Sequence, residues 1–232
     1  MRIGLFDSGI GGLTVLKVLK NNYPNNDYIY YGDTLNVPYG NKSKSELLKI
    51  ARNNINFLIN KNVDMIIVAC GTVSSNCLDI LIKEYDIPII SIIKPTIDYL
   101  INSSYKSIGV IATHATINSH IFKNNINKQV YEIETPELVS IIESNNYNNI
   151  NKVLHKYLDA YKDKLDCLVL GCTHYPIISN YIKNILSIDI INMGDLIKID
   201  NKGNGNIDIY FSKIDDIVRN NTRKIMGFNI NV

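Results

Sequence analysis

The sequence lacks the features of several large classes of protein. It has only four cysteines, at positions 70, 77, 167 and 172, and no C-x-x-C pair, which argues against zinc binding and dithiol redox chemistry. Its net charge is +2, and no basic run is long enough to follow a phosphate backbone, so we expect no nucleic acid partner. The apolar runs fall far short of the roughly 18 residues that span a bilayer, so we expect no membrane helix.

Nucleotide-binding and export signals are missing as well. Gly9 and Gly11 match the first two glycines of the dinucleotide fingerprint, but Thr14 stands where the third belongs, and no Walker motif occurs. Residues 1–7 form a short apolar stretch that ends in Asp7, without the long apolar region and cleavage site of a signal peptide. We therefore expect the protein to act in the cytoplasm.

The composition is that of a globular protein with a sizeable core. Hydrophobic residues make up 46% of the 232 residues and charged residues 20%, and a chain of this length buries about 70% of its extended surface. Short apolar runs alternate with stretches whose apolar residues recur every three or four positions, which predicts parallel sheets covered by helices on both faces. The predicted strands are residues 3–6, 28–31, 65–69, 87–92, 107–112, 129–133, 165–170 and 188–192, and the predicted helices include residues 12–20, 43–60, 73–84 and 177–186.

An internal repeat predicts two similar lobes. Residues 65–72 and 167–173 both end an apolar strand in a cysteine that is followed closely by a threonine, and residues 3–7 and 107–113 both open a strand-first unit. We therefore expect an α/β fold of two lobes, related by a pseudo-twofold axis, with the active site between them. The predicted first lobe is discontinuous and comprises residues 1–94 and 190–232, because residues 207–227 are expected to return to it. The predicted second lobe is residues 95–189.

Ligands of parallel sheets bind beyond the carboxyl ends of the strands, and two cysteines stand at such positions. Cys70 and Cys172 each end a predicted strand before a predicted helix, where the helix dipole and free N–H groups favour a thiolate. The alternative is that each is a small residue in a buried turn. Their matching surroundings favour a paired acid and base. Cys77, inside the predicted helix, and Cys167, at the start of its strand, are interpreted as core residues.

Two further candidates lie beside these cysteines. Asp7 follows the first strand, where it can hold a substrate ammonium group or assist a proton transfer, or simply cap the next helix. His174 lies two residues after Cys172, where it can poise the thiol or donate a proton, or be an ordinary satisfied histidine. We predict no metal site, because no ligand spacing with carboxylates or cysteines is present around the remaining histidines, His114, His120 and His155.

Five motifs follow predicted strand ends in a specific order. They are Asp7-Ser8-Gly9-Ile10-Gly11-Gly12, Asp33, Pro38-Tyr39-Gly40, Ala69-Cys70-Gly71-Thr72 and Gly171-Cys172-Thr173-His174-Tyr175-Pro176. Together, and over nearly the whole chain, they resemble the cofactor-independent glutamate racemases. The segment 113–119 and Glu143 also match family positions.

The resemblance implies interconversion of L- and D-glutamate without pyridoxal phosphate or another cofactor, supplying D-glutamate for peptidoglycan. It implies that Cys70 takes the α-proton of D-glutamate with help from Asp7, and that Cys172 takes that of L-glutamate with help from His174. Family members are commonly homodimers. The residues implied to bind substrate are Asp7, Ser8, Pro38, Tyr39, Gly40, Gly71, Thr72, Thr173 and His174.

One departure from the family pattern leaves alternatives open. Gly71 stands where the family usually has Asn, so a side-chain amide that would contact the substrate is missing. A racemase of aspartate or another amino acid is therefore the first alternative. A non-catalytic module that binds an acidic metabolite is the second, and a thiol-redox protein is the third. The motifs contain no Lys or Arg, so we expect neutral donors to hold the substrate carboxylates.

Overall fold

The computed structural model describes residues 1–227, which form nine strands and eleven α-helices. The strands are β1 (Arg2–Asp7), β2 (Asp27–Gly32), β3 (Met65–Val68), β4 (Ile89–Ser91), β5 (Ser107–Ala112), β6 (Gln129–Glu134), β7 (Cys167–Leu170), β8 (Asp189–Asn192) and β9 (Ile207–Phe211). The helices are α1 (Leu13–Asn22), α2 (Lys44–Ile59), α3 (Gly71–Asn76), α4 (Leu78–Glu84), α5 (Ile93–Asn102), α6 (His114–Asn118), α7 (Ile121–Asn125), α8 (Leu138–Glu143), α9 (Ile150–Leu158), α10 (Ser179–Lys183) and α11 (Asp216–Met226). Short 3-10 helices cover Asp159–Tyr161, Tyr175–Ile178 and Met193–Leu196.

The strands form two parallel sheets. The first has the order β4-β3-β1-β2-β9 and the second the order β6-β5-β7-β8. Central strands such as β3 and β7 are apolar throughout and almost wholly buried, as expected for strands covered on both faces. The α/β prediction is therefore confirmed. We call each sheet, with the helices packed on it, a lobe.

The two sheets repeat one topology. In the first, β1 lies between β2 and β3, and β4 lies beyond β3. In the second, β5 lies between β6 and β7, and β8 lies beyond β7. Cys70 lies two residues after the end of the third strand of the first unit, and Cys172 lies two residues after the end of the third strand of the second unit. The two cysteines therefore occupy equivalent places in a repeated fold, as the sequence repeat predicts.

The end of the chain returns to the first sheet. Strand β9 pairs in parallel with β2, with Tyr28 opposite Ile207. The predicted boundary between residues 189 and 190 falls inside β8, which pairs with β7, so the second sheet extends to Asn192. Of the segment 190–232 assigned to the first lobe, residues 228–232 lie outside the described part of the chain.

Local hydrogen bonds explain where helices begin and break. Helix α2 begins after Ser43 because the Ser43 hydroxyl accepts from the Glu46 N–H, while the Glu46 carboxylate accepts from the Ser43 N–H at 2.8 Å. The single helix expected over residues 73–84 is wrong, because α3 and α4 are separated at Cys77. The side chains of Ser75 and Asn76 both donate to the Thr72 carbonyl and compete with the helical backbone there.

Two other expectations change at the element ends. The helix expected over residues 177–186 begins as a 3-10 turn and continues as the short α10. Cys77 lies between α3 and α4 and so is not inside a helix, although it is buried in the apolar core of the first lobe.

None of the described helices is long and apolar enough to cross a bilayer.

Candidate functional site

The carboxyl ends of the two sheets face a common cavity of about 30 Å³. Its wall is built from segments that follow β1, β2, β3, β5, β6 and β7, so both lobes contribute. This volume has room for only about two water molecules. The lining residues are Ser8, Pro38, Tyr39, Gly40, Asn41, Cys70, Gly71, Thr72, Thr113, His114, Pro136, Val139, Gly171, Cys172, Thr173 and His174.

Cys70 lies on the first-lobe side of the cavity. It is the N-terminal cap of α3 and is 4% exposed. Burial raises the pKa of the Cys70 thiol well above its usual value and the charge of Asp7 raises it further, while backbone N–H groups of Val73 and Thr72 partly offset both. The closed site therefore favours the neutral thiol at this position.

Cys172 lies on the second-lobe side and has a hydrogen-bonded partner. Its sulfur is 3.5 Å from His174 Nδ1, and His174 Nε2 is 2.6 Å from Glu143 Oε1. Burial alone would lower the pKa of His174, but the hydrogen bonds to Cys172 and Glu143 raise it, and the net pKa lies well above its usual value. The imidazole thus holds a proton between a thiol and a carboxylate.

Asp7 lies behind the cavity wall and is wholly buried. Its Oδ2 accepts from the Gly12 N–H at 2.8 Å, and Thr173 Oγ1 donates to its Oδ1 at 3.2 Å. Burial raises the pKa of Asp7, whereas the charge of His174 and the backbone donors lower it. Within residues 1–227 no hydrogen bond joins Asp7 to Cys70. Its influence on that thiol is electrostatic, and its hydrogen bonds join it to Gly12 of its own lobe and to Thr173 of the second lobe.

Threonine hydroxyls join the lobes on another side of the cavity. Thr72 Oγ1 lies 2.9 Å from Thr113 Oγ1, which lies 3.1 Å from Thr116 Oγ1. No Lys or Arg is among the lining residues of the described chain. Neutral hydroxyls, backbone groups and histidines are therefore what the wall offers to an anionic ligand.

The loop after β2 forms a third part of the wall, but the Tyr39 hydroxyl is engaged elsewhere. It donates to Asp33 Oδ2 at 2.6 Å and accepts from Asn54 Nδ2 at 3.2 Å. The next residue, Gly40, accepts through its carbonyl from the Ala115 N–H of the second lobe at 3.1 Å. Asp33 thus acts on Tyr39 rather than on the cavity, and the loop bridges the lobes.

Sequence reasoning located most of this wall and missed part of it. Of the residues expected to bind substrate, all but Asp7 line the cavity. Pro136 and Val139 follow β6, and the rule that ligands bind beyond the carboxyl ends of parallel strands is the signal that points to them. Asn41 directly follows the Pro-Tyr-Gly motif. Asn54 lies on α2, far from any motif, and no sequence signal points to it.

The remaining histidines each face one carboxylate. His114 Nδ1 is 3.0 Å from Glu134, His120 Nδ1 is 2.6 Å from Glu132, and His155 Nδ1 is 2.8 Å from Asp159. In the described part of the chain, no three His, Cys, Asp or Glu side chains are grouped so that they can hold a metal ion.

The known proteins to which this chain is similar are racemases. A model of the Asp/Glu/Hydantoin racemase family matches residues 35–197. A glutamate racemase of Hydrogenobaculum sp. (strain Y04AAS1) is 39% identical and the match covers 98% of this chain and 93% of that protein. One from Aquifex aeolicus (strain VF5) is 38% identical, covering 91% and 89%. The crystal structure of glutamate racemase from Francisella tularensis subsp. tularensis SCHU S4 in complex with D-glutamate superposes with a TM-score of 0.88 at 34% identity, covering 99% and 95%. The chain therefore belongs to the Asp/Glu/hydantoin racemase family of enzymes.

Proposed function

We propose that this enzyme is a glutamate racemase that moves the α-proton between two thiols. The observation that carries the proposal is the placement of Cys70 and Cys172 at equivalent strand ends of a repeated fold, both facing one cavity. Inverting a carbon centre requires a base on one face and an acid on the other, and one group cannot easily serve both faces. The named relatives support glutamate as the substrate.

The proton balance of the reaction fits two thiols. With D-glutamate, Cys70 as thiolate takes the α-proton, the electron pair spreads into the α-carboxylate, and the Cys172 thiol donates its proton to the opposite face. The products are L-glutamate, a Cys70 thiol and a Cys172 thiolate, and the reverse reaction begins from that state. We assign His174 to assist Cys172 through their 3.5 Å contact, and Asp7 to tune Cys70 by its charge.

Substrate binding is assigned to the cavity wall. Hydroxyl groups of Ser8, Thr72 and Thr173, with backbone groups of the loop 38–40, would hold the carboxylates without a Lys or Arg. Asp7 would act on the ammonium group through its charge. An amino acid does not fit into a cavity of about 30 Å³, so entry requires the lobes or the loop 38–41 to move, and closure then excludes water from the reacting carbon.

The cellular role follows from the product. We propose that the enzyme acts in the cytoplasm as a homodimer and supplies D-glutamate for peptidoglycan. These assignments depend on the family resemblance. Aspartate remains the second candidate substrate, because Gly71 provides no amide at a wall position where the family usually has one.

Proton NMR in D₂O with no added cofactor tests the proposal. Purified protein is given L-glutamate, D-glutamate, L-aspartate or D-aspartate, and the α-proton signal and the optical purity are followed. We expect both glutamate enantiomers to exchange and racemise, and the Cys70→Ala, Cys172→Ala double variant to do neither. Exchange with aspartate alone would make aspartate the substrate. No exchange with either, together with ligand binding, would leave a non-catalytic binding module.

A further inference from the structure

Tyr30 is a buried titratable residue that the proposed mechanism does not use. It lies on β2 and is 0% exposed, and its hydroxyl donates to the Gly9 carbonyl oxygen at 2.5 Å. Burial raises the pKa of Tyr30 well above its usual value, and the nearby charge of Asp7 raises it further. The hydroxyl therefore keeps its proton and remains a hydrogen-bond donor.

The group that Tyr30 holds is one end of a peptide whose other end reaches the site. The Gly9 carbonyl and the Ile10 N–H belong to one planar unit and point in opposite directions. The Ile10 N–H donates to Glu143 Oε1, from the other lobe, at 3.2 Å. A side chain at Gly9 would overlap that same oxygen, so the backbone is in direct contact with the carboxylate.

We propose that Tyr30 is a positioning residue that sets the hydrogen-bonding geometry of the second thiol. It fixes the Gly9–Ile10 peptide, and that peptide fixes the Glu143 carboxylate through its N–H. Glu143 holds His174 at 2.6 Å, and His174 lies 3.5 Å from the Cys172 sulfur. The effect on turnover rests on the proposed racemase function, whereas the effect on His174 does not.

The same strand offers a matched control. Tyr28 lies two residues earlier, so its side chain is on the same face of β2, and it is 1% exposed. Its hydroxyl donates to the Tyr23 carbonyl at 2.8 Å, with the Leu19 carbonyl oxygen 3.0 Å away, and neither residue lines the cavity. Tyr28→Phe therefore removes a hydroxyl from a tyrosine of similar exposure on the same face of β2, and it leaves the hydrogen bonds that lead to Cys172 unchanged.

The first test measures the pKa of His174 by NMR in the wild type, Tyr30→Phe and Tyr28→Phe. The chain has only four histidines, and the His174 signal is the one lost in His174→Gln. We expect the pKa of His174 to fall toward its ordinary value of about 6.5 in Tyr30→Phe, because Glu143 is no longer held against it. It should stay at the wild-type value in Tyr28→Phe. Equal values in all three proteins would overturn the proposal.

The second test uses kinetics. We expect kcat to fall roughly 10- to 100-fold in Tyr30→Phe, because a misplaced catalytic group lowers the rate by about that factor. In Tyr28→Phe, kcat should stay near the wild-type value. In a Glu143→Gln background, Tyr30→Phe should cause no further fall, because both changes break one path. If the two substitutions instead lower kcat independently, so that their effects add in the double variant, the proposal is contradicted. If the wild type does not racemise glutamate, the proposed function fails and the His174 titration alone decides the role of Tyr30.

A third variant covers the case in which Tyr30→Phe does not fold. The Phe211 ring packs edge-on against the Tyr30 ring, with centroids 6.0 Å apart. Phe211→Leu removes that support, so the Tyr30 ring shifts and its hydrogen bond to the Gly9 carbonyl lengthens, although the tyrosine itself is retained. A smaller fall in the pKa of His174 would support the proposal, and an unchanged pKa would overturn it.

Discussion

Gly71 of the first lobe lies directly against the carbonyl group of Gly171 in the second. A Cβ atom at residue 71 would be 2.6 Å from the Gly171 oxygen, closer than Cβ atoms come to non-bonded atoms of other residues. The two residues adjoin the two thiols, since one follows Cys70 and the other precedes Cys172. The missing side chain therefore sets how closely the lobes approach beside the site.

We predict that Gly71→Ala lowers racemase activity. Alanine is the better helix former, so the loss comes from the collision, which costs about 1–3 kcal/mol or separates the lobes. Separation misplaces the thiols and reduces kcat by roughly 10- to 100-fold. Gly194→Ala is the control, because its nearest contact is an ordinary 3.4 Å. Steady-state kinetics measure both variants.

Gly71→Asn restores the residue that is usual in the family, so it tests whether the close approach of the lobes or the missing amide matters more for activity. If the close approach matters more, the variant is less active than the wild type. A gain in kcat/KM for glutamate would instead mean that the backbone yields and that the amide is worth more than the close approach.

The four cysteines provide a second prediction with internal controls. Cys70→Ser and Cys172→Ser should each reduce racemisation by about 10²- to 10⁴-fold, the usual contribution of a group that transfers a proton. Cys77→Ser and Cys167→Ser should retain kcat, because neither lines the cavity. Burial raises the pKa of Cys77 to about 11 and that of Cys167 to about 12, and neither thiol, unlike that of Cys70, can reach a substrate in the cavity.

The readout for these variants is the optical rotation of glutamate together with α-proton exchange in D₂O. A large loss of activity in Cys77→Ser or Cys167→Ser, in protein that is folded by circular dichroism, would mean that thiols outside the cavity take part. Comparable activity in Cys70→Ser would remove the first base from the mechanism.

The sequence predicted the parallel sheets, the repeat and most of the cavity wall, because these features depend on local patterns. Apolar runs fix strands, and the strand-end rule places Ser8, Cys70 and Cys172 at one edge. What the sequence could not reveal depends on contacts between distant segments. The hydrogen bond from the Tyr30 hydroxyl to Gly9 and the one from Asn54 to Tyr39 form only once β2 and α2 are packed in the folded lobe.

The same limit explains the errors. Helical periodicity runs on through Cys77, and only side-chain hydrogen bonds to the Thr72 carbonyl show why the helix breaks. Such contacts also lie outside a motif: the Asp7 motif does not show that Gly12 and Thr173 donate to its carboxylate, and substrate contact at Asp7 stays a prediction. A one-dimensional motif identifies the residue and leaves its partners open.

Tyr39→Phe should destabilise the protein. Its hydroxyl satisfies the buried Asp33 carboxylate and the buried Asn54 amide together, so the variant leaves two polar groups without this partner. We expect a loss of about 1–3 kcal/mol in the free energy of unfolding. Urea denaturation measures it, and an unchanged midpoint would mean that water replaces the hydroxyl. Tyr99→Phe, at a ring that is 40% exposed, is the control for an inconsequential change.

Asp7 supplies a pH-dependent prediction. Burial raises the pKa of its carboxyl above the ordinary 3.8, although the charge of His174 and backbone donors lower it. The folded protein therefore binds this proton more tightly than the unfolded chain. The free energy of unfolding consequently falls as the pH rises from about 3.8 through the folded-state pKa. Asp7→Asn lacks this ionisation and keeps an oxygen that can accept from Thr173 or Gly12.

The free energy of unfolding of Asp7→Asn should therefore rise relative to wild type as the pH increases from about 4, and the difference should be constant below that pH. Carboxylates whose pKa is lowered, such as Glu84 beside Arg52, act equally in both proteins and cancel in the difference. Urea unfolding at a series of pH values measures it, and a difference that is flat from about pH 3 to about pH 8 would contradict a raised pKa. If the variant gains stability at neutral pH while losing racemisation, the buried carboxylate is retained for its effect on the thiols, at a cost in stability.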